Sequence, residues 1–308
     1  MRRVNGLSVI ESPYTDINWV LDSDDRSKIL ADVNVMEGPM DTQDYRLCGV
    51  YHKAGVPFDV NEVSYQEIPN TEIYAAMSKA ISDACYEGLS KGKVLLLAGG
   101  RCTFNVGVAG GIQRALGPEK TVGIVWMDAH GDMSVPENSP TGLLAGMPLA
   151  TILGLCLDNW RLSAGIEVPY RGEYVLASDC RDMGEGPRRN AAKANVKILD
   201  TAEFQDADKW SAAVQELAGK VDAIWLHVDM DILDEKHIPN FICPLPAGSE
   251  VETVMRNIKT VMATGKALAM SVSNVYFGRP DPGYEQKTFN AMRLMGAGLE
   301  AWRECPEF

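Results

Sequence analysis

No apolar run reaches about 18 residues, the length a membrane-crossing helix needs, so no span is expected. The first residues meet Glu11 and Asp16 too early to leave room for a secretory apolar segment, and no export is expected. The seven cysteines, at 48, 85, 102, 156, 180, 243 and 305, are odd in number, scattered and free of any Cys-x-x-Cys. That usage suits reduced thiols in the cytoplasm and speaks against a disulfide scaffold. Positive charge is scarce: 29 Lys and Arg stand against 42 Asp and Glu, a net -13 that repels nucleic acid and anionic lipid. Repeats, low-complexity tracts and linkers rich in Pro, Gly or Ser are missing, so one domain over residues 1–308 is the expectation. The glycines of 107–111 lack phosphate-loop spacing; they are read as close helix packing and given no nucleotide cofactor.

What is present is a chain that is 46% hydrophobic, enough to fill a sizeable core. Short apolar runs ending at turn residues predict strands over 7–12, 94–100, 122–128, 174–178, 196–200, 223–231 and 267–275. Helical periodicity falls between them, most clearly over 71–92 and also near 105–116, 187–194, 208–218, 249–263 and 286–303. Strands alternating with helices, and strands that are apolar on both faces, imply an α/β fold with a mostly parallel covered sheet. In such sheets ligands sit beyond the carboxyl ends of the strands.

Three of those ends are unusually polar. Residues 127–133 read MDAHGDM, placing one of only four histidines, His130, between Asp128 and Asp132. The run 224–234 is interrupted by Asp229 and Asp231, and residues 99–103 read GGRCT. Carboxylates inside apolar runs are expensive to bury unless they are paired or bind a metal. Two aspartate pairs and a histidine, converging from neighbouring strands, can supply oxygen and nitrogen ligands to two divalent ions. Ions so placed ionise water at neutral pH, the usual device of hydrolytic centres.

These motifs resemble those of the ureohydrolase family, which contains arginase, agmatinase and formiminoglutamase. The resemblance rests on Asp-Ala-His-x-Asp at 128–132, Asp-x-Asp-x-x-Asp at Asp229, Asp231 and Asp234, and Gly-Gly-Asp-His-Ser, here altered to GGRCT. Residues 139–154 and the Arg-Asp stretch of 178–186 extend it over roughly 90–280. It implies a three-layer α/β/α sandwich around a mostly parallel sheet of about eight strands, commonly assembled as a homo-oligomer, a trimer or hexamer. It further implies one ion held by Cys102, Asp128, Asp132 and Asp229, and another by Asp128, His130, Asp229 and Asp231. The ions would be Mn2+, with a bridging hydroxide oriented by Asp132.

The chain departs from that pattern at several points. Cys102 stands where the family has a histidine; as a thiolate it favours Zn2+, Fe2+ or Co2+ over manganese. The alternative is a buried, unreactive thiol beside a single ion. Arg101 replaces an aspartate and either offsets the thiolate charge or faces solvent. Ala145 occupies the likely place of the family's loop histidine, while Ser134, Thr141 and Leu143 replace residues that hold an amino acid's carboxylate. Asn274 falls near a glutamate that contacts guanidinium, and an amide cannot pair ionically there. Strand periodicity puts residues 227, 229 and 231 on one face, so His227 is either a general acid or a group that orients a ligand. His52 and His237 read as loop histidines, Trp126 and Trp225 as core.

The expected function is metal-dependent hydrolysis of a C–N bond in a linear amidine, a guanidino or substituted guanidino compound, by attack of the bridging hydroxide. Asp132, His227 and Asn274 are its candidate catalytic residues. Hydrolysis of a formimino compound, releasing formamide, is the rival within enzymes; a ureohydrolase-like regulatory or binding subunit without catalysis is the rival outside them.

Overall fold

The computed structural model describes residues 1–12, 43–64, 72–239, 245–274 and 282–307. Its strands are β1 (Arg2–Arg3), β2 (Leu7–Glu11), β3 (Phe58–Glu62), β4 (Val94–Ala98), β5 (Val122–Asp128), β6 (Val175–Asp179), β7 (Lys197–Leu199), β8 (Ala223–Asp229), β9 (Ala267–Ser273) and β10 (Glu304–Cys305). Eight of them form one parallel sheet in the order β3-β2-β4-β9-β8-β5-β6-β7; β1 and β10 pair separately, antiparallel.

Alternation along the central strands sends neighbouring side chains to opposite layers. Val125 and Met127 join Trp210, Val254, Ile258 and Leu294 in one core cluster. Ile124 and Trp126 join Ile81, Ile112 and Leu149 in the other. Helices 207–218, 251–262 and 284–301 therefore cover one face, and 73–90 and 105–116 the other. This is the expected three-layer sandwich. The glycine cluster serves its packing: a Cβ at Gly107 or Gly111 would strike the helix Ile73–Ser90, and one at Gly110 would strike the Ala164 carbonyl.

β3 is the strand that sequence periodicity overlooks. Its FDVNE alternates polar and apolar residues, it is only half-buried at the sheet edge, and it pairs with β2 from Leu7 against Phe58. The predicted strand 223–231 stops at Asp229, whose own side chain accepts the Asp231 N–H and starts a short 3-10 turn, Met230–Ile232. Asp231 therefore does not share a strand face with residues 227 and 229. Two predicted ends, Thr71 of a helix and Val275 of a strand, lie outside the described residues. Among the described residues no helix is long and apolar enough to cross a membrane, and Cys48, Cys85, Cys102, Cys156, Cys180 and Cys305 are free thiols. Cys243 lies outside them.

Candidate metal centre

The four central strands β4, β9, β8 and β5 lie side by side, and each delivers polar groups at its carboxyl end. β4 leads to Cys102, β9 to Asn274, β8 ends at Asp229 and turns to Asp231, and β5 ends at Asp128 and leads to His130 and Asp132. Tight reversals make this convergence possible. Gly131 (φ 78), Asp132 (φ 49) and Asn274 (φ 64) are left-handed, and a Cβ at Gly131 would collide with Met183 and Cys180.

Two groups of metal-ligating atoms result. Cys102, Asp128, His227 and Asp229 each bring one such atom within 4.8 Å of the others; Asp128, His130 and Asp231 do the same, so Asp128 belongs to both. Cys102 Sγ lies 2.7 Å from Asp229 Oδ2. The Asn274 amide donates to Cys102 Sγ at 3.3 Å and also to Asp229 Oδ2. His130 Nδ1 approaches Asp231 Oδ2 at 2.8 Å, while the other oxygen of Asp231 accepts the Ala129 N–H at 3.0 Å. Asp128 is held by the His130 N–H at 2.6 Å and by the Trp126 indole N–H at 2.9 Å.

Electrostatics show what these donors require. Burial first, then the charges of Asp128 and Asp229, push the Asp132 carboxyl well above its usual range. Burial, then Asp231 and Asp128, do the same to Asp229. Burial and the surrounding aspartates push the Cys102 thiol up. Asp128 is the exception: burial raises it, but the His130 hydrogen bonds and charge outweigh that and hold it low. Carboxylates and a thiol packed this closely cannot all ionise without added positive charge. Oxygen, nitrogen and sulfur donors in one buried volume fit divalent cations, and the Asp132 Oδ2 and His227 Nε2 atoms, buried without a hydrogen-bond partner among the described residues, point to the same need.

The sequence profile of the arginase family matches residues 31–294. This chain belongs to the arginase family. Arginase from Bacillus caldovelox is 24% identical over 192 residues, 61% of this chain and 63% of that protein, just under two thirds of its length. Among solved structures, arginase from Bacillus subtilis superposes with a TM-score of 0.79 at 19% identity, covering 96% of this chain and 98% of that one. Formimidoylglutamase from the same species gives 0.71 at 17% identity, covering 99% and 89%. At such identities these two superpositions establish a shared fold. The arginase family is a family of hydrolases.

Of the residues expected to build an arginase-family site, Cys102, Asp128, Asp229, His130 and Asp231 meet as two adjoining clusters. Asp132 is buried beside them but falls in neither cluster; it lines a cavity of about 540 Å³ that opens over the centre. Arg101, Ser134, Thr141, Leu143, Ala145 and Asn274 line it too. Arg101 is 7% exposed, which overturns the reading that it faces solvent. Asp234, the last residue of its motif, is elsewhere: it caps the turn Glu235–His237. His52 packs edge-on against Phe58, and His237 pairs with Glu250 at 2.9 Å.

The general-acid reading of His227 is corrected: the ring is fully buried, does not line the cavity, and burial holds its pKa down at about 3, which keeps it neutral rather than a protonated acid. Trp126, read as core, is core with a second task, since its N–H fixes Asp128. Arg181 was visible only as part of a family-like stretch. Its guanidinium donates to the carbonyls of Asp231 at 2.8 Å, Leu233 at 3.2 Å and Leu245 at 3.2 Å and pairs with Asp179, clamping the Asp231 turn.

Proposed function

We propose that this chain is a metal-dependent hydrolase that cleaves a C–N bond of a linear amidine, a guanidino or substituted guanidino compound, releasing urea or a urea analogue and an amine. The observation that carries the reading is the meeting of Cys102, Asp128, His130, Asp229 and Asp231 at the carboxyl ends of β4, β5 and β8 beneath one cavity. Cys102, Asp128 and Asp229 would hold one divalent ion, and Asp128, His130 and Asp231 the other. Bound there, the ions would supply the Lewis acidity that ionises water at neutral pH. Sulfur in the donor set favours zinc, iron or cobalt over the manganese that the family resemblance implies.

The protein groups divide the remaining work. Asp132 Oδ2, buried without a hydrogen-bond partner among the described residues, takes the proton of the attacking water and passes it to the departing amine. Asn274 donates to both Cys102 and Asp229 and so keeps those donors in place rather than pairing with a guanidinium. Asp182 and Glu185 on the cavity wall attract a cationic amidine. Arg101, lining the same cavity, favours a second reading: a formimino compound bearing a carboxylate, cleaved to formamide.

Product analysis tests this. Protein purified without oxygen and loaded separately with zinc, cobalt, iron and manganese is given a panel of guanidino and formimino compounds. Urea release supports the first reading and formamide release the second. Neither product from a fully loaded chain marks it as a non-catalytic member.

A further inference from the structure

We propose that His227 is itself a metal ligand, completing with Cys102, Asp128 and Asp229 a sulfur, nitrogen and oxygen site suited to zinc, cobalt or ferrous iron; this rests on the metal centre proposed above and on no particular substrate. The resemblance that suggested the other ligands assigns this residue no ion. Geometry does. One ligand atom of His227 lies within 4.8 Å of one from each of Cys102, Asp128 and Asp229, and all four residues are buried.

The ring is prepared for that role. Nδ1 is 3.1 Å from Ser271 Oγ, which also receives the Trp225 indole N–H at 3.3 Å. Giving the Nδ1 proton to Ser271 leaves a lone pair on Nε2, a buried atom with no hydrogen-bond partner among the described residues. Metal-ligating histidines have this arrangement, one nitrogen anchored to an oxygen and the other on the ion. Trp126 lies against the imidazole with ring centres 4.0 Å apart and fixes its plane, while its N–H holds the neighbouring ligand Asp128. Opposite, Cys102 Sγ and Asp229 Oδ2 approach to 2.7 Å. A thiol and a carboxylate at that distance share either a proton or a cation, and Asn274 donates to both.

The arrangement also accounts for Cys102. The resemblance places an imidazole at position 102, after β4; here β4 leads to sulfur, and the nitrogen comes instead from β8, across β9. One ion keeps a nitrogen ligand and gains a soft one, which moves its preference away from manganese.

The test uses the full chain carrying His130→Ala, which removes the other imidazole of the centre and leaves the four-residue site intact. Loaded with one equivalent of zinc, it is measured by X-ray absorption. The expected shell contains one sulfur and one imidazole on the same zinc. Sulfur without imidazole overturns the assignment of His227 and leaves the metal centre and the hydrolase reading standing; no zinc binding at all overturns both. Because truncation beside Trp126 opens the core, His227→Gln is measured together with His227→Ala. Both are expected to lower zinc affinity by more than the roughly 10–100-fold that loss of an outer-shell partner costs, while the cobalt-loaded variants keep their sulfur-to-cobalt charge-transfer band. A loss within that range marks His227 as a positioning residue and contradicts the proposal.

Discussion

Cys102 puts sulfur where the ureohydrolase pattern has an imidazole, and its surroundings decide whether that sulfur coordinates or merely packs. Its sulfur lies 2.7 Å from Asp229 Oδ2 and accepts the Asn274 amide, and on the proposed function it coordinates. Exchanging Cys102 for His should therefore move the metal preference toward manganese, read by competition dialysis between zinc and manganese. An unchanged preference would mean that the thiol is no ligand. Asp132 differs in kind, being buried, without a partner at Oδ2 among the described residues and on the cavity wall. Asp132→Asn is expected to lower turnover by about 10²–10⁴-fold, the usual worth of a positioned acid or base, with metal content retained. Cys102 came only through the family resemblance, but the carboxylates could be read from the sequence, because Asp229 and Asp231 interrupt one apolar run and Asp128 and Asp132 follow another. The position of His227 could not: periodicity gives a side chain's face, whereas its neighbours depend on which strands lie alongside.

Between strands and helices, the site depends on how each strand ends. β8 ends where Asp229 accepts the N–H of Asp231, a local capping bond that the apolar pattern of 223–231 conceals. β3 was missed for the opposite reason: an edge strand that is half-buried alternates and carries no apolar run. The turn after β8 is held from outside by Arg181, which bonds its Asp231 and Leu233 carbonyls and ties them to Leu245 and Pro246. Replacing Arg181 with Met should leave the sheet intact but lower affinity for the ion at His130 and Asp231 by about 10–100-fold, as for other outer-shell supports. Calorimetric titration of cobalt into the variant checks this, and unchanged affinity would show that the turn stands without the clamp.

For the whole molecule, parallel topology was legible because central strands covered on both faces are near-continuously apolar, while the strand order was not, since no local pattern specifies neighbours. The centre also links metal to overall stability. In the metal-free chain, burial and then neighbouring carboxylates raise Asp132 and Asp229, and mainly burial raises Asp231. An acid whose folded pKa exceeds its unfolded value, about 3.9 for Asp, costs nothing below that value and destabilises increasingly as pH climbs toward the folded one. His130, raised by Asp231 and Asp128 against the effect of burial, stabilises below about 6.5 and loses that contribution as pH rises through its folded value. Asp128 and His227 run the other way: Asp128 stabilises above its unfolded value and loses that on acidification, and His227, kept neutral by burial, costs stability as pH falls below about 6.5. Above about 6.5, where His227 is neutral in both states, the melting temperature of the chelated protein should thus fall as pH rises toward about 8, and saturating zinc should abolish most of that fall. Parallel pH profiles with and without metal would contradict this linkage.

The most direct test is a metal count by mass spectrometry on the chain purified without oxygen or chelator, and on Asp128→Asn, which alters the carboxylate common to both clusters. The centre described here requires two ions per chain in the first and a clear loss in the second. No bound ion in either, after dialysis against zinc, cobalt, iron or manganese, would contradict it.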